Sequence, residues 1–131
     1  MNSAKTKSAF PANSELNNLA FEQIQAMLRS ESSYARTRAL IALGARLEEE
    51  AATQALLEAI ADPTNIVTPA MNDFSVAMVG AMVALENGSP ALYAKLRPVV
   101  AQLPATQQQD IFDYLLLATK TNYRSKLLET I

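Results

Sequence analysis

Residues Tyr34 to Pro63 read YARTRALIALGARLEEEAATQALLEAIADP, two apolar helical periods set back to back. Leu40, Leu43 and Leu47 recur at helical spacing in the first, Leu56 and Ile60 in the second. A charged turn, Glu48-Glu49-Glu50, joins them, and Asp62-Pro63 closes the unit. A helix pair of about 30 residues cannot bury both of its apolar faces alone, so stacked neighbours and an all-helical solenoid are expected.

A chain of 131 residues fits one domain with a real core. Half of its residues are apolar, and only 6% are aromatic. That balance favours helices over strands. Cysteine is absent, which excludes disulfides, thiolate metal sites and cysteine nucleophiles. Histidine is absent too, which removes the commonest general base and the commonest metal ligand. A non-catalytic chain without a cofactor is the expectation. Residues 1–13 hold two lysines and no apolar run of signal-peptide length, so a disordered tail is expected there and a single domain over 14–131. The longest uncharged apolar run, Phe74 to Leu85, is too short to span a bilayer. A soluble, cytoplasmic protein is therefore expected.

Local signals divide the rest of the chain into about seven helices. Ser14 is placed to cap a first helix that ends near Arg29. The serine-rich break at 30–33 precedes a second helix, Tyr34 to about Leu47, and a third runs from about Glu49 to Ala61. Pro63 to Asp73 holds two prolines and two asparagines and reads as a loop. Asn72 or Asp73 can cap a helix over Phe74 to Glu86, and Gly88 suits a left-handed stop. Ser89-Pro90 opens a helix to about Leu103, which Pro98 should kink or divide. Thr106 can cap Gln107 to Ala118, and Asn122 a last helix from Tyr123. Ala35, Ala39, Ala42 and Leu43 recur as Ala77, Ala81, Ala84 and Leu85, forty-two positions on. Helix pairs at a period near 40 mark HEAT and armadillo-like arrays.

The residues of the first unit resemble bacterial HEAT-like repeats of the phycobilisome-lyase type. Arg36 takes the family's arginine position, Ala39 and Leu40 its alanine pair, and Ala42-Leu43-Gly44 match outright. Ala55, Leu56, Leu57, Ala59 and Ile60 follow the second helix, and Asp62-Pro63 restarts the motif. The second repeat keeps the small-residue spacing, with Met78 where the arginine would stand. The resemblance implies an α-solenoid and spans lyase subunits, scaffolds, repair enzymes and adaptors. The residues themselves say that small side chains let helices approach while the leucines fill the seam. They also say that Arg36, in a helix's first turn, opposes the dipole and needs an acidic partner, for which Asp62 is a candidate, unless solvent serves instead.

Charge is uneven along the chain, whose net charge is −2. From Leu47 to Ala94 there is no Lys or Arg, against Glu48, Glu49, Glu50, Glu58, Asp62, Asp73 and Glu86. An acidic centre could steer a basic protein partner onto it, or merely be a solvated face. Glu50, Glu58 and Glu86 are the candidate partner-binding acids. Ile66, Val67 and Met71 are candidate apolar anchors, or alternatively a lid folded over helix ends. The run FSVAMVGAMVALE is apolar all round, as a buried central helix or a self-association face would be. Asp110 and Asp113 fit helix-start acids better than a catalytic pair. Lys120, Tyr123, Arg124 and Lys126 form a small basic-aromatic cluster, but a pI near 5.1 argues against nucleic acid. The functional expectation is an adaptor or scaffold that binds a protein with a basic patch. An immunity protein neutralising a basic target, and a HEAT-type enzyme subunit or nucleic-acid binder, are the alternatives.

Overall fold

The computed structural model describes residue 16, residues 18–71 and residues 73–117, the last three by backbone alone. The described chain is all-α apart from one two-stranded hairpin. In order come α1 (Phe21–Leu28), α2 (Ser33–Gly44), α3 (Glu50–Ala61), α4 (Pro63–Val67), β1 (Pro69–Met71), β2 (Phe74–Ser75), α5 (Val76–Asn87), α6 (Pro90–Val100) and α7 (Ala105–Leu117). The tail 1–13, the Ser14 cap and the helix expected from Tyr123 lie outside the described residues.

Each boundary has a local cause. The Ser32 hydroxyl accepts the Ala35 N–H at 3.2 Å and starts α2. Asp62 ends α3, and its Oδ1 then accepts the Thr64 N–H at 2.8 Å, which starts α4 with Pro63 in its first turn. Ser75, rather than Asp73, caps α5 by accepting the Met78 N–H at 3.2 Å. Ser89 accepts from Leu92 at 3.3 Å and opens α6, with Pro90 following. α6 runs through Pro98 undivided and stops at Val100. α7 starts at Ala105, with Thr106 inside it rather than before it, and Gln108 N–H bonds the Pro104 carbonyl.

Two expectations about glycine and proline are corrected. Gly88 has φ −88°, so no left-handed residue ends α5. Its lack of a side chain matters for space instead, since a Cβ there would lie 2.5 Å from the Ala84 carbonyl oxygen and 2.6 Å from Leu92 Cδ2. The segment expected as a loop holds α4 and the hairpin, in which Pro69 pairs with Ser75 and Met71 with Phe74.

α5 is the centre of the fold. It touches α2, α3, α4, α6, α7 and both strands, which is why its sequence is apolar on every face. α2 packs on α1, α3 and α5, while α3 packs on α5 and α6. The alanines at 35, 39, 42, 77, 81 and 84 are all buried. Leu40, Leu43, Leu56 and Ile60 are fully buried in one core, with Leu47 partly buried at its edge. The approach of α2 to α5 is close enough to require glycine, since a Cβ on Gly44 would fall 2.6 Å from Val83 Cγ1. α2 ends there, at Gly44, three residues short of Leu47. Among the described residues no helix is long and apolar enough to cross a membrane.

Candidate interaction surface

The segment from Asp62 to Ser75 leaves the helical core and returns to it as a braced knuckle. Asn65, nearly completely buried, anchors its base: Nδ2 donates to the Ala59 carbonyl at 2.9 Å and Oδ1 accepts from Arg36 Nε at 2.9 Å. The Thr68 hydroxyl donates to the Thr64 carbonyl at 2.6 Å, and Val76 N–H donates to the Thr68 carbonyl at 2.9 Å. From α7, Gln107 Nε2 donates to the Ile66 carbonyl at 2.8 Å while its Oε1 accepts the Ser75 hydroxyl at 3.2 Å. One glutamine therefore clamps both arms of the knuckle. Phe74 meets Tyr114 edge to face, with ring centroids 5.8 Å apart.

This bracing sorts the three apolar candidates. Val67 is 77% exposed and Met71 44% exposed, whereas Ile66 is half-buried against the core. Beside them a concavity of about 310 Å³ opens between the hairpin and α7, with Pro69, Phe74, Pro104 and Gln107 among its walls. Apolar side chains held out on a segment braced by these hydrogen bonds can meet a partner with little ordering of the chain.

The acids divide by what they already hold. Glu49 pairs with Arg46 at 3.1 Å, and Asp62 caps α4. Glu58 Oε2 accepts from Gln54 at 2.8 Å. Glu50, Glu58 and Glu86 are all exposed. Glu50 and Glu58 lie two turns apart on the outer face of α3, and Glu86 is on α5. Glu48 and Glu50 line a concavity of about 400 Å³ with Leu47, Asn87, Leu92 and Lys95. Glu58 and Asp62 line a smaller one, of about 230 Å³, with Arg29. The acids of this stretch therefore do not form one face: Glu48 and Glu50 line one hollow, Glu58 and Asp62 a second and Asp73 the concavity beside the hairpin, and the first two hollows each include one cation, Lys95 and Arg29.

Arg36 does not pair with Asp62. The residue is nine-tenths buried, and its guanidinium donates from Nε to Asn65, which ties α2 to the knuckle, and from Nη1 to the Ser30 carbonyl at 2.8 Å, both neutral acceptors. Asp62 is drawn away by its own cap. Solvation of Arg36, the other expectation, is also ruled out by its burial.

Sequence reasoning missed Asn65 and Gln107, because a polar residue inside a proline-rich segment and another in an amphipathic helix carry no signal of what they clamp. It also missed Tyr34 and Ile41, exposed seven residues apart on α2, with the Arg38 guanidinium 5.1 Å over the Tyr34 ring. Their spacing was the available sign. Asp113 accepts from Gln109 at 2.9 Å within α7, and Asp110 is half-buried. The basic cluster Lys120, Tyr123, Arg124 and Lys126, and the apolar residues Leu127, Leu128 and Ile131, lie outside the described residues. No family model, curated protein or solved structure matches this chain.

Proposed function

We propose that this chain is a non-catalytic protein-interaction module, a short HEAT-like helical-repeat scaffold that holds a basic-patched partner against its knuckle and acidic outer face. The observation that carries the reading is the exposure of Val67 and Met71 on a segment fixed by Asn65 and Gln107. A segment without function would gain by turning such side chains inward, as Ile66 does. Support for the repeat character comes from the helix pairs α2/α3 and α5/α6. α2 and α5 are each 12 residues long and bury the same pattern of alanines.

The test is capture from native lysate with three baits: wild type, Val67→Ser/Met71→Ser, and Glu50→Lys. The expected result is a protein retained by wild type, lost from the double variant at any salt, and weakened by Glu50→Lys at low salt only. Retention that is equal on all three baits, with melting temperatures unchanged, would overturn the reading.

A further inference from the structure

The concavity of about 310 Å³ beside the knuckle is walled by Val67, Pro69, Phe74 and Pro104, all apolar. Its neutral polar side chains are already engaged. The Ser75 hydroxyl donates to Gln107 Oε1 at 3.2 Å, and Gln107 Nε2 donates to the Ile66 carbonyl at 2.8 Å. A polar group entering between these walls would shed its water and find those atoms taken, so the interior favours an apolar occupant. The walls are also set in advance, by the Gln107 clamp and by the ring-fixed φ of Pro69 and Pro104. A preformed wall asks little ordering of the chain when it is covered.

One charged group lines this concavity, Asp73. An aspartate just before a helix is ordinarily spent on the cap, but the Ser75 hydroxyl takes that role for α5. The Asp73 carboxylate is left exposed, with no hydrogen bond or ion pair among the described residues and no cation in the same lining. Apolar walls with one unpaired carboxylate among them are complementary to an apolar side chain that has a cation next to it.

We infer that the concavity receives a segment of a partner protein in which a large apolar side chain stands beside a lysine or arginine, the apolar group between the hairpin and α7 and the cation at Asp73. The inference rests on the reading of the knuckle as a docking surface, and it states what that surface selects. The volume lies at the lower end of the roughly 300–1,000 Å³ of sites for drug-sized ligands, room for one large side chain. A free small molecule filling it would leave the exposed Val67 and Met71 in water, whereas a chain passing over the concavity covers them as well.

The experiment is an amide chemical-shift titration of the full ¹⁵N-labelled chain with three acetylated, amidated dipeptides, Phe-Lys, Phe-Glu and Gly-Lys. Phe-Lys is expected to move the Phe74, Ser75 and Gln107 signals saturably, with a dissociation constant of roughly a few millimolar. Gly-Lys, which lacks the apolar group, is expected to bind about tenfold more weakly or worse. Phe-Glu should bind about threefold more weakly than Phe-Lys at low ionic strength, and the two should converge in about 1 M salt. Asp73→Lys alters an exposed side chain, should keep the fold, and should reverse the order so that Phe-Glu binds better. Gly-Lys binding as tight as Phe-Lys overturns the inference. So does an order of Phe-Lys and Phe-Glu that Asp73→Lys leaves unchanged, or the absence of saturable shifts with all three dipeptides. That last result, beside a lysate protein retained by wild type and lost from Val67→Ser/Met71→Ser, would leave the docking surface standing and overturn only this account of what enters the concavity.

Discussion

Tyr93 stands at the corner between α5 and α6, its hydroxyl donating to the Leu85 carbonyl at 3.1 Å with the Gly88 carbonyl also near, at 3.4 Å. Burial disfavours the phenolate and pushes its pKa above the usual value of 10.0. A raised folded-state pKa means that the stability it brings is complete below pH 10.0 and is lost as pH rises through the folded value. The expected result is that denaturant-derived stability falls above about pH 10 in wild type and that Tyr93→Phe flattens the part of this fall due to Tyr93. The same variant should lose about 1 kcal/mol at neutral pH with the hydrogen bond. Asn65 is a sterner case. Asn65→Ala removes the acceptor of Arg36 Nε and the donor to the Ala59 carbonyl, and leaves a buried cation with one partner fewer. Urea unfolding should register a loss of about 3 kcal/mol. At this scale the need was legible and the solution was not. Arg36 called for an acidic partner or for solvent, but the acid that was the candidate, Asp62, is taken up by the cap of α4, which starts one residue later. An amide three residues beyond it takes the role because α4 turns Asn65 inward.

The helices were legible where apolar periodicity and capping residues coincide. α3 and α6 begin within a residue of their expected starts, because an acidic first turn and a Ser-Pro pair are local signals that tertiary structure has no reason to override. The hairpin was illegible because its strands are three and two residues long and are held by a side chain from α7, thirty-two positions beyond Ser75. No local pattern encodes such a clamp. α5 lies between these cases. Its all-round apolar character was evident from composition and left burial and self-association as the alternatives, while the need for Gly80 appears only in the packing, where a Cβ would meet Ile60 Cγ1 at 2.8 Å and Leu40 Cδ1 at 3.4 Å. Gly80→Ala sets two effects against each other. Helix propensity returns up to about 1 kcal/mol, while overpacking in a fixed core costs about 1–3 kcal/mol. Cγ1 of Ile60 is near its backbone and cannot swing aside, so the packing term should prevail. A net loss of about 1–2 kcal/mol in thermal or denaturant unfolding is expected, and a stabilised variant would show that α3 can retreat from α5.

Across the whole molecule, a run of acids in the chain becomes several exposed charges of unequal availability. Glu49 is held by Arg46 and Asp62 by the α4 cap, whereas Glu50 and Glu86 are exposed and make no ion pair among the described residues. If the proposed partner is basic, these two charges act at its approach rather than in the docked contact. Long-range attraction raises the association rate, and salt screens it: the Debye length shrinks from about 10 Å at 0.1 M to about 3 Å at 1 M. Glu50→Lys with Glu86→Lys should therefore slow association several-fold at low ionic strength and change little at high salt, with dissociation and melting temperature nearly unaltered. The knuckle should behave in the opposite way. Val67 and Met71 contribute only after contact, when their exposed surface leaves water, so serine at both positions should leave the association rate and its salt dependence intact. Dissociation should then accelerate by the loss of about 1–2 kcal/mol for each anchor, a factor of 5–30 apiece. Surface-plasmon kinetics on the captured partner at two salt concentrations separates these effects. Charge reversal that acts on dissociation alone would place the acids inside the contact. Serine variants that slow association without altering release would move the docking site away from the knuckle, to the exposed Tyr34 and Ile41 of α2.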